Sequence, residues 1–92
     1  MKLIDLVKNI QSIDQESVIF QEHLENVNAD IIISHAEEGD EGVKEYAGKK
    51  YYYLIEVFLA KDFIEDWLTN LDYIPSQEAI AQRLHEYAVK DA

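Results

Sequence analysis

The segment 51–71 constrains the fold most, because its hydrophobic period changes along its length. Residues 51–57 are mostly aromatic, β-branched or aliphatic, which is typical of a strand. Residues 58–71 instead place their apolar side chains at helical spacing on one face, with Trp67 among them. A strand that passes directly into an amphipathic helix predicts a domain of mixed α and β structure. The point of change is open, and the helix could begin as early as Leu54.

Patterns elsewhere in the chain add two strands and two helices. Residues 2–10 gather their aliphatic side chains on one helical face. Residues 18–20 and 29–36 are predicted strands, the second because three consecutive isoleucines are stiff at χ1. Residues 37–50 contain all three glycines and are predicted to form a long, mobile connection. Ser76, which follows the one proline, is predicted to cap a last helix.

These elements predict an α+β fold with the order α-β-β-β-α-α. A chain of 92 residues leaves no room for two domains, so residues 1–92 are expected to form one. A three-stranded antiparallel sheet with helices packed on one face is the most economical arrangement of these elements. Trp67 lies on the apolar stripe of its helix and is predicted to belong to the core.

Strand alternation predicts which side chains face away from the helices. Burying Glu56 without a partner costs free energy, so its face of the third predicted strand should meet solvent. Tyr52 and Leu54 share that face, and alternation in the first two strands adds Ile19 and Ile32. The predicted outer face is therefore a contiguous apolar and aromatic patch with a charged rim, which is typical of a protein interface.

Two alternatives to this interface stay open. A second layer could cover the outer face, either the first helix or a second copy of the chain. The strand could also face the other way, with Tyr52 packed under a helix and Tyr53 exposed. The solvent accessibility of the two rings distinguishes these facings.

A second candidate surface is the acidic face of the predicted helix 58–71, which carries Asp62, Glu65 and Asp66. Asp62 and Asp66 are like charges four residues apart, a spacing that weakens an isolated helix by a few tenths of a kcal/mol. A basic partner would relieve this repulsion. The alternative is an ordinary solvated helix face.

The residues that support catalysis or cofactor binding are missing from the sequence. The chain has no cysteine, which excludes disulfides, zinc ribbons and thiol nucleophiles. Its three histidines include no pair at helical metal-binding spacing, and neither a nucleophile elbow nor a phosphate-binding glycine loop is present. We therefore predict no catalytic residue, no cofactor and no metal, and hence a protein that is not an enzyme.

The charge balance narrows the class of partner. With 8 basic and 19 acidic side chains the net charge is -11, which argues against direct binding of nucleic acid and favours a basic protein. The most apolar window, residues 51–60, is half the length of about 20 residues that a membrane-spanning helix needs. We expect a soluble, cytoplasmic protein that does not engage a membrane.

Two stretches, YYYLIEVFLAKDFIEDWL and PSQEAIAQRLHEYAVKDA, resemble a family of small acidic bacterial proteins, a domain of unknown function. That family joins an aromatic and aliphatic LEVF(I/L)AK segment to an acidic helix and ends in YA-x-x-DA. The beginning, MKLIDLVKNI…VIF, is similar too, so the resemblance covers most of the chain. Acidic domains of this type and size are often immunity proteins or antitoxins. The order of elements and the acidity also resemble, more loosely, phage inhibitors that occupy nucleic-acid channels.

The sequence thus predicts a non-enzymatic protein-binding module, an immunity- or antitoxin-like inhibitor of a basic protein. Two alternatives remain: a nucleic-acid mimic that inhibits a nuclease, and a structural or regulatory homodimer. The 8 basic residues, interspersed among the acids, weaken the uniform field that a mimic requires. The predicted partner-binding residues are Ile19, Ile32, Tyr52, Leu54, Glu56, Asp62, Glu65 and Asp66.

Overall fold

The computed structural model describes residues 1–35 and 42–91. These residues form three α-helices and four β-strands. In chain order they are α1 (Leu3–Lys8), β1 (Val18–Gln21), β2 (Ile31–Ser34), β3 (Val43–Tyr46), β4 (Lys49–Glu56), α2 (Val57–Thr69) and α3 (Gln77–Asp91), with one 3₁₀ turn at Ile10–Ser12.

The strands form one antiparallel sheet in the order β2-β1-β4-β3, with the helices of the main core on one face. The predicted α+β class is confirmed, but the predicted three-stranded sheet and element order are wrong. The strand that was not predicted is β3, which lies in the segment predicted to be a long connection. It pairs with β4 through a two-residue turn, Ala47 and Gly48, which both have positive φ. Residues 37–41 of that predicted connection, and residue 36 of the predicted strand 29–36, lie outside the described residues.

Strand and helix meet without a linker where β4 ends at Glu56 and α2 begins at Val57. The N–H of Val57 donates to the carbonyl of Ser17 at 2.9 Å, which fastens the start of α2 beside β1. The predicted change of period falls within one residue of this boundary, and the earlier helix start at Leu54 is wrong. The first helix is shorter than the predicted 2–10.

A β-bulge reverses the facing of part of β4. Ile19 pairs with Ile55 but Phe20 pairs with Tyr53, so Leu54 is an extra residue between the two pairs. Leu54 and Ile55 consequently both pack into the main core under the helices. Strict alternation does not allow for such an insertion, and the predicted facing therefore fails from Leu54 towards the start of the strand.

The predicted outer patch is corrected in both strands: in β4 by this bulge, and in β1 because Ile19 lies opposite Ile55 and shares its face. Ile19 and Leu54 are 0% and 2% exposed in the main core, so neither belongs to a surface. Tyr52 lies opposite Gln21, on the helix side, rather than beside Glu56. Ile32 does lie on the helix-free face, where it packs against a second apolar cluster. Glu56 also lies on that face as predicted, because it pairs with Val18 of the same cluster.

The alternative prediction, in which Tyr52 packs under a helix and Tyr53 is exposed, is also only partly right. Tyr52 and Tyr53 are 38% and 37% exposed, so ring accessibility does not separate them. Tyr53 lies on the helix-free face, where its ring meets Phe20 edge-on at 6.4 Å. Trp67, predicted to be core, is half-buried at the margin of the main core.

The helix-free face is closed by the curl of the sheet. Val18, Phe20 and Tyr51 form a buried cluster there. Lys44 of β3 passes over the Phe20 ring at 5.5 Å, and its Nζ donates to Ser34 Oγ and the His35 carbonyl, each at 2.9 Å. These acceptors lie in the last residue of β2 and in the residue that follows it, at the opposite edge of the sheet. A flat four-stranded sheet would separate its edges by about 14 Å, beyond the reach of a lysine, so the sheet is strongly curled.

Helices α2 and α3 of the described chain contact β4, and α1 lies against α3. Among the described helices, none combines the length and the apolar character that crossing a bilayer requires.

Candidate functional site

The structure divides the predicted partner-binding residues into three groups. Ile19 and Leu54 are core residues, and Ile32 and Tyr52 lie on opposite faces of the sheet. The remaining four lie close together, three of them on α2 and one at the end of β4. They are Glu56, Asp62, Glu65 and Asp66.

The first feature of this region is a groove of about 560 Å³ between α2 and α3. Its aromatic wall is formed by Phe63 and Tyr87, whose rings are stacked with centroids 4.3 Å apart and planes inclined by 14°. We refer to these two rings as the aromatic stack. Its acidic wall is formed by Asp62, Glu65 and Asp66.

The second feature is a concavity of about 510 Å³ beside the first turn of α2. Glu16, Glu56 and Asp62 supply carboxylates to it, and the exposed ring of Phe58 supplies an apolar wall. Asp62 lines both concavities, so they adjoin along α2. Together they form what we call the acidic surface. Its residues are Glu16, Glu56, Phe58, Asp62, Phe63, Glu65, Asp66 and Tyr87.

The acidic surface lacks balancing cations among the described residues. No lysine or arginine lines either concavity, and none of its five carboxylates forms an ion pair within residues 1–35 and 42–91. Lys61 stands four residues before Glu65, the spacing of a helical ion pair. Its Nζ instead donates to the Ile13 carbonyl at 2.7 Å. The lysine therefore fastens α2 to the segment after α1 and forms no ion pair with Glu65.

The periodicity of α2 explains why the carboxylates gather here. Val57, Ala60 and Ile64 are buried at helical spacing against the sheet and the other helices. The side chains of Asp62 and Asp66 then emerge on the opposite side, one turn apart. Because α2 is amphipathic, burying its apolar face leaves its polar face exposed to solvent.

The aromatic members of the surface were not predicted as functional. Phe63 and Tyr87 sit on stripes of apolar residues, which the sequence assigns to the core. In the fold they occupy the edges of those stripes, pack against the main core and still line the groove. Phe58 adjoins the buried Val57 in sequence and is 44% exposed. Edge positions of an apolar stripe are the signal that could have identified Phe63 and Tyr87.

A separate acid and histidine pair lies outside this surface. His35 Nε2 is 3.3 Å from Asp14 Oδ2, and both side chains are exposed. The backbone N–H of Glu16, and next the His35 ring, lower the pKa of Asp14 below its ordinary 3.8. Within the described residues no group of three or more potential ligands could hold a metal ion.

Comparison with known proteins identifies no relative of this chain. No protein-family model matches the chain, no curated protein matches it, and no solved structure matches its fold. The resemblance to small acidic bacterial proteins stays a prediction. The function proposed next rests on the geometry and charge of the acidic surface.

Proposed function

We propose that this protein is a non-enzymatic binding module that docks a basic protein partner on its acidic surface. The observation that carries the proposal is the combination found there. Five carboxylates without an ion-pair partner among the described residues border two adjoining concavities with aromatic walls. Aromatic area surrounded by charge is a common composition of protein interfaces.

The charge supports a basic partner in two ways. At long range, a net charge of -11 accelerates encounter with a positive surface by electrostatic steering. At short range, cations of the partner would offset the repulsion between Asp62 and Asp66, which are one helical turn apart. The same field repels nucleic acid, whose backbone is anionic.

The groove between α2 and α3 suits an arginine of the partner. A guanidinium is planar, so it can lie against an aromatic ring while its N–H groups donate to a carboxylate. The aromatic stack supplies the ring, and Asp62 or Asp66 supplies the carboxylate within the same groove. A lysine can satisfy the charge but not the planar stacking, so arginine is the preferred anchor.

An immunity- or antitoxin-like role is the specific form of this proposal. An acidic module that fills a basic active site blocks access of an anionic substrate, and electrostatic complementarity makes its association fast. The proposed setting is a bacterial cytoplasm, where the basic partner is a toxin or similar enzyme.

The test compares two double variants that each remove two negative charges. Asp62→Asn/Asp66→Asn alters the groove, and Glu25→Gln/Glu45→Gln alters exposed acids elsewhere. Each protein is immobilised and exposed to extract of the source cells, and the captured protein is then purified and titrated back. The proposal expects a basic partner whose affinity falls about tenfold or more for the groove variant.

The control variant is expected to bind that partner nearly as well as the unaltered protein. Equal affinity of the two variants would contradict docking at the acidic surface. An acidic or neutral partner would contradict the proposal as a whole, as would a second copy of this chain.

A further inference from the structure

Two adjacent apolar side chains are exposed in the connection between α2 and α3, residues 70–76. Ile74 is 95% exposed and Tyr73 is 61% exposed, the two highest values among the large apolar residues of the described chain. Single exposed apolar side chains are ordinary on a protein surface, but two neighbours at such exposure form a small apolar patch. We refer to Tyr73 and Ile74 as the apolar tip.

The chain on both sides of the apolar tip is fastened to the body of the protein. Before the tip, the N–H of Leu71 donates to the Leu68 carbonyl at 3.2 Å. After it, Pro75 is buried, and Ser76 Oγ accepts from the Ala79 N–H at 3.1 Å at the start of α3. A short connection fastened at both ends has little conformational entropy left to lose on binding, which favours it as a contact point.

The apolar tip follows closely on the groove between α2 and α3. Thr69, the last residue of α2, lines that groove, and Asn70 Nδ2 donates back to the Asp66 carbonyl at 2.9 Å. Ile74 is five residues further along the chain, a distance of at most about 18 Å. An interface of standard size, about 800 Å² per partner, is about 30 Å across. A protein docked on the acidic surface is therefore large enough to cover the tip as well.

The segment around the apolar tip carries charge of one sign. Residues 62–82 contain no lysine or arginine, and their acidic members are Asp62, Glu65, Asp66, Asp72 and Glu78. Asp72, directly before the tip, is exposed. Only positive charge on a partner complements such a rim. A second copy of this segment would instead bring acids against acids, so charge favours a basic partner over the chain itself.

We propose that the apolar tip is an anchor of the interface with the basic partner, in which Tyr73 and Ile74 enter an apolar pocket bordered by lysine or arginine. This inference rests on the proposed function and extends the same docking site from the groove to the 70–76 connection. The acids and the tip then act on different rates. Exposed acids steer the two proteins together and set the association rate, whereas apolar side chains desolvated in the complex slow its dissociation.

The test compares two double variants that each remove one exposed tyrosine and one exposed β-branched side chain. Tyr73→Ser/Ile74→Ser removes the apolar tip, and Tyr46→Ser/Val89→Ser removes side chains that are 59% and 51% exposed elsewhere. Association and dissociation rates are measured with the basic protein that the unaltered chain captures, after purification, at about 0.1 M and about 1 M salt.

The tip variant should dissociate about tenfold or more faster than the unaltered protein. Its association rate should stay within about twofold of the unaltered value at both salt concentrations, because it keeps every charge. The control variant should match the unaltered protein in both rates. Ile74→Ser alone should speed dissociation in the same direction, and it serves as the test if the double variant folds poorly.

Equal dissociation rates for the tip variant and the control would overturn the anchor. Sedimentation of the unaltered protein alone decides against it in another way, since a dimer that Tyr73→Ser/Ile74→Ser abolishes would assign the tip to a second copy. Asp62→Asn/Asp66→Asn separates this inference from the proposed function. If that variant loses affinity while the tip variant does not, the anchor is wrong and docking on the acidic surface stands.

Discussion

One face of α2 is buried against the sheet and the other helices, and the opposite face carries the acidic surface. The buried face consists of small and aliphatic side chains, and its contribution to stability follows from the apolar area it removes from water. The exposed face places Asp62 and Asp66 one turn apart with no ion pair in the described chain, which costs a little stability. The two faces therefore have separable roles, folding for one and recognition for the other.

The largest expected effect comes from breaking the buried face. Ile64→Ala removes a buried aliphatic side chain and leaves a cavity, so the free energy of unfolding should fall by about 2–5 kcal/mol. Urea denaturation monitored by circular dichroism measures the change. A loss below about 0.5 kcal/mol, as for an ordinary surface substitution, would mean that this face is not the one that holds the helix.

A smaller loss is expected at the margin of the same face. Trp67 is half-buried, so Trp67→Ala should cost about 1–2 kcal/mol, below the range of 3–5 kcal/mol for fully buried aromatic residues. The same denaturation experiment tests it. A cost as large as that of a central core residue would move the boundary between the two faces outward.

The aromatic stack lies where the buried and exposed faces of α2 meet, so a variant there tests folding and recognition together. Phe63→Leu keeps an apolar side chain but removes the ring, so it should weaken partner binding by about 0.5–2 kcal/mol. Unfolding stability should change by less than about 1.5 kcal/mol. Titration calorimetry and denaturation of the same variant give both numbers, and unchanged affinity would remove the stack from the binding site.

The smallest expected effect is a gain in stability on the acidic face. Asp62→Asn/Asp66→Asn removes a like-charge pair at helical spacing, so the free energy of unfolding should rise by a few tenths of a kcal/mol. Thermal melting at low ionic strength detects it best, because salt screens exposed charges. A clear loss of stability would show that these carboxylates support the fold.

The acidic face of α2 was predictable from sequence because helical periodicity is local. Residues 58–71 alone determine which side chains share a face, and the carboxylates at 62, 65 and 66 lie where that period places them. The boundary between strand and helix, which the sequence left open from Leu54 onward, falls between Glu56 and Val57. Helix α3 and its Ser76 cap, whose Oγ accepts from the Ala79 N–H, also follow from local signals.

The facing of the sheet was not predictable in this way, because it depends on pairing between distant strands. The bulge at Leu54 arises from the register of β4 against β1, and one inserted residue moves Tyr52 and Leu54 to the helix side. Strand β3 escaped prediction because its sequence, VKEY, has no clear apolar alternation. Its turn also uses Ala47 at a positive φ of 51°, which is unusual for a residue other than glycine.

The most direct test of the account is the salt dependence of the association rate with the purified partner. The unaltered protein, Asp62→Asn/Asp66→Asn and Glu25→Gln/Glu45→Gln are compared as the Debye length falls from about 10 Å at 0.1 M salt to about 3 Å at 1 M. We expect the rate of the unaltered protein and of Glu25→Gln/Glu45→Gln to fall about tenfold or more. The groove variant should be slower at low salt and less sensitive to it. Indistinguishable rates for the two double variants at both salt concentrations would contradict recognition through the acidic surface.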